Sequence, residues 1–236
     1  IFLNGLNQYK YGPTHNLPSQ YIEVEYIMDS TDGKQFIDTL VKPSHTLGVE
    51  VKLQTNRNSG ERIFFGASDT SAYANGNNFA MEVSSGNAPL VCYGKNTSIS
   101  GTNNTFNTSK IVTYAFNLNG NGKIQIDGKD VKEFTNKTPN LPDYTCYLFN
   151  RNIANSTVTS YYFNGKIYEC KMFEGEELIR DYIPCYDIRN NKYGMYDLVT
   201  EKFYGNGGTG AFTGGKFILD SDTSTEAPTD RYLATL

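Results

Sequence analysis

The sequence predicts an all-β fold, an antiparallel two-sheet β-sandwich, on three observations. In several short segments apolar residues recur at every second position, as one buried strand face requires. Asn-Gly and Asp-Gly pairs separate some of those segments and supply the positive φ angles of tight hairpins. No ten-residue stretch is amphipathic at helical spacing, and the composition couples 18 Tyr and 14 Phe with many turn-forming Asn, Gly, Thr and Ser. Short strands at close spacing suit two sheets that bury alternate faces against each other.

Residues 1–19 hold Gly5, Gly12, Pro13 and Pro18 and no sustained period, and residues 1–16 are assigned to a lead-in arm or linker. In 21–28 the set Ile22, Val24, Tyr26 and Met28 is predicted to face the core, with Glu23 and Glu25 towards water. Asp32-Gly33 is a turn and 35–41 a second strand. Leu47, Val49, Val51 and Leu53 form the face of a third. Shorter strands are predicted at 62–66, 79–83 and 89–94, with a long polar loop over 69–78. Next come three consecutive antiparallel strands. Val112, Tyr114, Phe116 and Leu118 lead to the turn Asn119-Gly120-Asn121-Gly122, Ile124 and Ile126 return, and Asp127-Gly128 turns again towards Val131 and Phe134. Segments 144–149, 160–163 and 165–173 are further strands, the last with Tyr168, Cys170 and Met172 on one face, and 176–181 is a turn or short strand. Residues 192–210 are rich in Gly and aromatics, whereas 220–229 has almost no apolar residue. The division is one domain over 17–215 and a C-terminal extended arm over 216–236.

Net charge is −4, with no basic stripe, which argues against nucleic acid as a partner. No apolar run approaches the ~20 residues that a spanning helix needs, so no membrane insertion is expected. Ile1 in place of an initiator Met, without a signal-peptide pattern, implies a processed chain or part of a larger polypeptide. Cys92, Cys146, Cys170 and Cys185 form no CxxC pair, and His15 and His45 are the only histidines, which disfavours zinc. The even count permits disulfides, but apolar and aromatic neighbours favour buried free thiols.

No catalytic residue is assigned. His15 and His45 read as exposed loop histidines, Glu23 and Glu25 as a solvated strand face, and Glu174, Glu176 and Glu177 as surface charge at a turn. The Gly-rich run 205–210 lacks the Gly-Lys-Ser/Thr of a phosphate loop. The chain is therefore expected not to be an enzyme. Asp69 with the Asn cluster 75–78 offers hard oxygen ligands for Ca2+, a weak candidate without a dense acidic loop; no other metal or cofactor is indicated. Sugar binding needs an aromatic ring for the apolar sugar face and amides for the hydroxyls. Two loops offer these groups: Tyr73 with Asn75, Asn77 and Asn78, and Asn150, Arg151 and Asn152. An ordinary surface loop is the competing reading of each.

Two blocks then carry a family resemblance. The first is Leu17-Pro18-Ser19-Gln20-Tyr21-Ile22-Glu23-Val24-Glu25-Tyr26-Ile27, continuing to Gln35-Phe36-Ile37-Asp38-Thr39. The second comprises Gly165-Lys166-Ile167-Tyr168, Leu178-Ile179-Arg180-Asp181-Tyr182-Ile183-Pro184-Cys185, Gly194-Met195-Tyr196-Asp197-Leu198-Val199 and Lys202-Phe203-Tyr204, with Gly207-Gly208-Thr209-Gly210. They bracket 17–213 and resemble the signature blocks of laminin G-like, concanavalin A-like jelly-roll domains, which are frequent in bacteriophage virion proteins and in surface proteins of gut bacteria. The resemblance implies a jelly roll on a virion surface, in a tail fibre, tail tip or capsid attachment, that binds a host-surface glycan or neighbouring virion subunits. Its alternatives are a structural decoration without ligand and a bacterial cell-surface adhesin module. A homotrimer is compatible with a fibre, and the arms 1–16 and 216–236 are expected to reach partner subunits. The blocks themselves report packing, with Gly194, Gly207, Gly208 and Gly210 expected at tight turns and Arg180 and Asp181 able to pair or to bind backbone. No family binding residue carries over. The Glu-x-Asp-x-x-Glu pattern of related glycosidases is absent.

Overall fold

The computed structural model describes residues 9–12, 14–29, 33–71, 75–135, 137–157 and 161–220. These residues form strands, turns and loops, and no helix among them is long and apolar enough to cross a membrane. The larger sheet runs, edge to edge, Lys129–Phe134, Gly122–Ile126, Val112–Asn117, Leu47–Thr55, Gly165–Glu174, Glu177–Asp187, Lys192–Asp197 and Lys202–Tyr204. Tyr21–Glu23 and Ile27–Met28 add to it, each pair antiparallel. The second sheet runs Ser156–Thr157, Asn152–Ile153, Arg62–Ser68, Asn78–Val83, Pro89–Tyr93 and Ser98–Ser100. In it, Tyr147–Leu148 joins Ile37–Asp38 to Arg62–Ser68, and Asn152–Ile153 runs parallel to Ala67–Ser68. The all-β, antiparallel two-sheet sandwich expected from the sequence is the observed architecture.

Alternation builds the core where it was expected. Leu47, Val49, Val51 and Leu53 are buried, as are Val112, Tyr114, Phe116, Leu118, Ile124 and Ile126 across the hairpin. They meet Phe65, Phe79, Met81, Val91 and Tyr93 of the second sheet in one cluster. Phe79 stands at its centre, with ring centroids 5.7 Å from Phe116 and 6.4 Å from both Phe65 and Tyr93. The T-shaped ring arrangement suits aromatic quadrupoles and supports packing beyond area burial.

Several expectations are corrected. The run 21–28 is not one strand. Tyr21–Glu23 pairs with Glu177–Asp187, Val24 bridges Phe217, and Ile27–Met28 pairs with Gly165–Glu174. This change of partner shifts the side-chain phase, so Val24 and Ile27 enter the core while Ile22, Tyr26 and Met28 are half-buried. Tyr26 instead takes the Lys166 ammonium over its ring at 4.5 Å. Glu23 is buried rather than solvated. Its carboxylate accepts the His15 backbone N–H and lies 3.2 Å from His15 Nδ1. A register irregularity between Ile167 and Glu169 puts Ile167, Cys170 and Met172 inside and leaves Tyr168 half-exposed, its hydroxyl 2.9 Å from Gln54 Oε1. The short element expected at 176–181 opens the 11-residue strand Glu177–Asp187. Of the two roles expected for Arg180 the backbone one holds: its Nη1 donates to the Ile179 carbonyl at 2.7 Å and its Nε to the Thr39 carbonyl at 3.4 Å. The charge it faces is the buried Asp197 carboxylate, 3.5 Å from Nε, in place of Asp181.

Of the four glycines assigned to turns, Gly210 alone has a left-handed φ, +81°. Gly208 passes so close to the Lys34 carbonyl that a Cβ would lie 1.7 Å from its oxygen, and at Gly194 a Cβ would lie 2.5 Å from Phe203 Cζ. Close approach is the reason for glycine there. Tyr9–Gly12 pairs in parallel with Phe217–Asp220, so residues from the lead-in and from the C-terminal segment meet in one two-stranded sheet. Residues 221–236 lie outside the described residues.

All four cysteines are buried free thiols, as expected, and burial pushes every one of them well above the ordinary thiol range. A thiol-specific chromogenic reagent is therefore expected to find no reactive group in the native protein and four in denaturant. Rapid labelling of the native chain would contradict this burial.

Candidate functional site

The two loops singled out in the sequence, some seventy residues apart, meet at one end of the second sheet. Asn152–Ile153 pairs with Ala67–Ser68, the Ala154 N–H donates to the Ser68 carbonyl at 3.2 Å, and Arg151 Nη2 donates to the Ser71 carbonyl at 3.2 Å. The junction is turned inward. Asn150, Arg151 and Asn152 are buried, so they are not the surface-loop side chains that a glycan contact requires. Asn150 Nδ2 donates to the Gly33 carbonyl and Asn152 Nδ2 to the Thr145 carbonyl, both at 2.8 Å. Asn78 is buried too, and its amide donates to the Gly76 and Gly94 carbonyls at 2.8 and 3.1 Å. Asn75 is exposed and Asn77 half-buried, while Tyr73 lies outside the described residues. Asp69 Oδ2 accepts from the Asn77 backbone and amide at 3.2 and 2.8 Å, which closes the loop. Among the described residues no three His, Cys, Asp or Glu are grouped to hold a metal ion.

Beneath the junction sits a buried charged pair on the outer face of the second sheet. Glu82 follows Ala80 on that face, where Ile63, Ala80 and Cys92 form a small apolar cluster. Burial raises the Glu82 carboxyl to about 7, against the opposing pull of the Arg151 charge, and Glu61 adds to the rise. Burial likewise lowers Arg151, with Glu82 holding it up. Nearby, Arg62 is lowered to about 10 by burial and by Arg57, and its Nη2 donates to Asn87 Oδ1 at 2.7 Å. These groups tie loops to the sheet and present no reactive atom to solvent.

An open cleft lies elsewhere, where the edges of the two sheets come together beyond Ser98–Ser100 and Lys129–Phe134. It has a volume of about 320 Å3 and is lined by Tyr93, Thr97, Ile99, Phe134, Thr135, Lys137 and Pro139. Phe134 is held from behind by Phe116, stacked at 5.9 Å, and from the side by Tyr93 at 6.3 Å. Pro139 is fixed by His45 Nε2, which donates to its carbonyl at 2.8 Å. Tyr93 leads into Gly94, whose φ of +78° turns the chain and where a Cβ would lie 2.5 Å from Pro139 Cβ. Thr97, Thr135 and Lys137 are exposed around this apolar floor. The 69–78 loop adjoins it through Asn78, which bonds Gly94.

The sequence reading did not single out these residues. A signal was available in Phe134-Thr135-Asn136-Lys137-Thr138-Pro139, an aromatic closing a strand and followed by polar groups, the same pattern that marked 73–78. Its partner Tyr93 is brought to it only by the packing of one sheet on the other.

No family model matches the chain, and no curated protein matches its sequence. Among solved structures, an inferred carbohydrate-binding protein from Bacteroides ovatus aligns with a TM-score of 0.55 at 10% identity over 84% of this chain. This chain spans 62% of that protein. A heptameric SAP-like pentraxin from Limulus polyphemus aligns at 0.45, with 12% identity over 67% of this chain and 76% of its own. The CBM40 of the Ruminococcus gnavus IT-sialidase, bound to α2,3-sialyllactose, aligns at 0.44, with 10% identity over 66% and 90%. The first of these shares the β-sandwich fold, in agreement with the jelly-roll resemblance of the sequence.

Proposed function

We propose that this chain is a non-catalytic glycan-recognition domain displayed on a virion or bacterial cell surface, and that the cleft between the sheet edges receives a sugar ring. The observation that carries the reading is the chemistry of the cleft. Phe134 and Pro139, backed by the buried Tyr93, offer a rigid apolar floor for the C–H face of a pyranose, and Thr97 and Thr135 offer hydroxyls that both donate and accept. Its volume stands near the lower end of the roughly 300–1,000 Å3 typical of small-ligand pockets, which suits a short glycan end. The B. ovatus neighbour supports the reading at the level of fold. Glycoside hydrolysis needs two facing carboxyls, and none of the described lining residues carries one, which supports recognition without catalysis.

The test is a glycan array probed with the chain and with Phe134→Leu, which keeps an apolar side chain against Phe116. A restricted set of glycans is expected to bind. The variant should lose about 2–10-fold in affinity, the worth of one aromatic contact of roughly 0.5–1.5 kcal/mol. Silence across the array would leave a structural decoration as the reading. Immunogold labelling of phage particles and of bacterial cells separates the two proposed settings.

A further inference from the structure

We infer that the ligand of this cleft is an anionic saccharide, selected by Lys137 at the rim; the inference rests on the glycan reading of the same cleft. The chain as a whole is acidic, with 25 Asp and Glu against 21 Lys and Arg. The two segments that border the cleft depart from this balance. Residues 93–99 carry Lys95 as their single charge, residues 134–140 carry Lys137, and neither segment contains Asp or Glu. Lys137 lines the cleft itself and is exposed, and among the described residues it forms no ion pair. On the adjoining hairpin the two acidic groups nearest the cleft are already taken, since Lys123 lies 2.7 Å from Asp130 and 3.3 Å from Glu133, while the exposed Lys129 and Lys132 add further positive charge.

An ammonium with no ion pair among the described residues, beside an apolar floor, matches a pyranose that carries its charge at one edge. The ring face lies on Phe134 and Pro139 while the anionic substituent turns towards Nζ. Because lysine is a point charge rather than a planar fork, this geometry takes a carboxylate or a sulfate alike. The low-dielectric floor on one side leaves the pair less screened than one on a flat surface.

The experiment uses an array on which each neutral glycan is printed beside its carboxylated and its sulfated counterpart, probed with the chain and with Lys137→Gln at two salt concentrations. Lys137 is exposed, so the variant should melt as the parent does. The expected result is tighter binding of the charged members and, in K137Q, a loss of about 2–5-fold for them that exceeds the change for neutral members. The preference should shrink at high salt in the parent and be salt-independent in the variant. The carboxylated and sulfated arms show which anion is taken. Equal binding of neutral and charged members would overturn the inference and leave the glycan reading standing, whereas no binding to any glycan would overturn both.

Discussion

Phe79→Ala is expected to lower the unfolding free energy by about 3–5 kcal/mol, as judged by urea titration. Phe79 is fully buried and joins the two sheets, with Phe65 and Tyr93 on its own sheet and Phe116 opposite. Removing the ring forfeits its transfer energy and leaves a space that its neighbours cannot refill, since Phe116 and Tyr93 are held by each other and by Phe134. At roughly 2–4 °C per kcal/mol for a chain of this size, the melting temperature should fall by about 10 °C. The damage should reach the cleft, because Tyr93 lies against both Phe79 and Phe134. A loss below about 1 kcal/mol would mean that the sheets do not interlock there.

Arg151→Met should be comparably costly at pH 8, about 3–5 kcal/mol, because it strands the buried Glu82 carboxylate without the positive charge that faces it. The cost should be smaller at pH 5. Glu82 titrates at about 7 in the folded protein, above its ordinary value of 4.5. The folded state therefore binds this proton more tightly than the unfolded state. The stabilisation is complete below pH 4.5, is lost as the pH rises to 7, and changes no further above that. Its size is on the order of 3 kcal/mol. Thermal melts between pH 4.5 and 8 measure the slope, and Glu82→Gln should flatten it. Stability that rises from pH 5 to 7 in the parent, and still rises in that variant, would show that Glu82 does not govern this range.

The strands that were legible in the sequence are those with one face in the core and one in water. Leu47–Thr55, Val112–Asn117 and Gly122–Ile126 alternate cleanly, and the hairpin turns that follow the last two carry Asn-Gly and Asp-Gly. Strands covered on both faces were harder to read. Arg62–Ser68 and Asn78–Val83 are buried throughout, so no solvated face alternates with an apolar one: Arg62 and Glu82 lie inside, as does Asn78, which was expected in a polar surface loop. The same holds for Asn150, Arg151 and Asn152. Polar residues in a loop-like stretch suggested solvent, yet long-range bonds to Gly33, Ser71 and Thr145 satisfy them internally.

By itself the sequence determined the all-β class, the central hairpins, the aromatic interior and the buried thiols. These follow from side-chain period and turn chemistry, which act between neighbours along the chain. Tertiary structure alone decided which polar loops turn inward, where the strand phase slips at 24–27 and 167–169, and that Tyr93 and Phe134 share a cleft. Each of those depends on which distant segment covers a face or edge, and the covering element leaves no mark on the local pattern of the residues it covers.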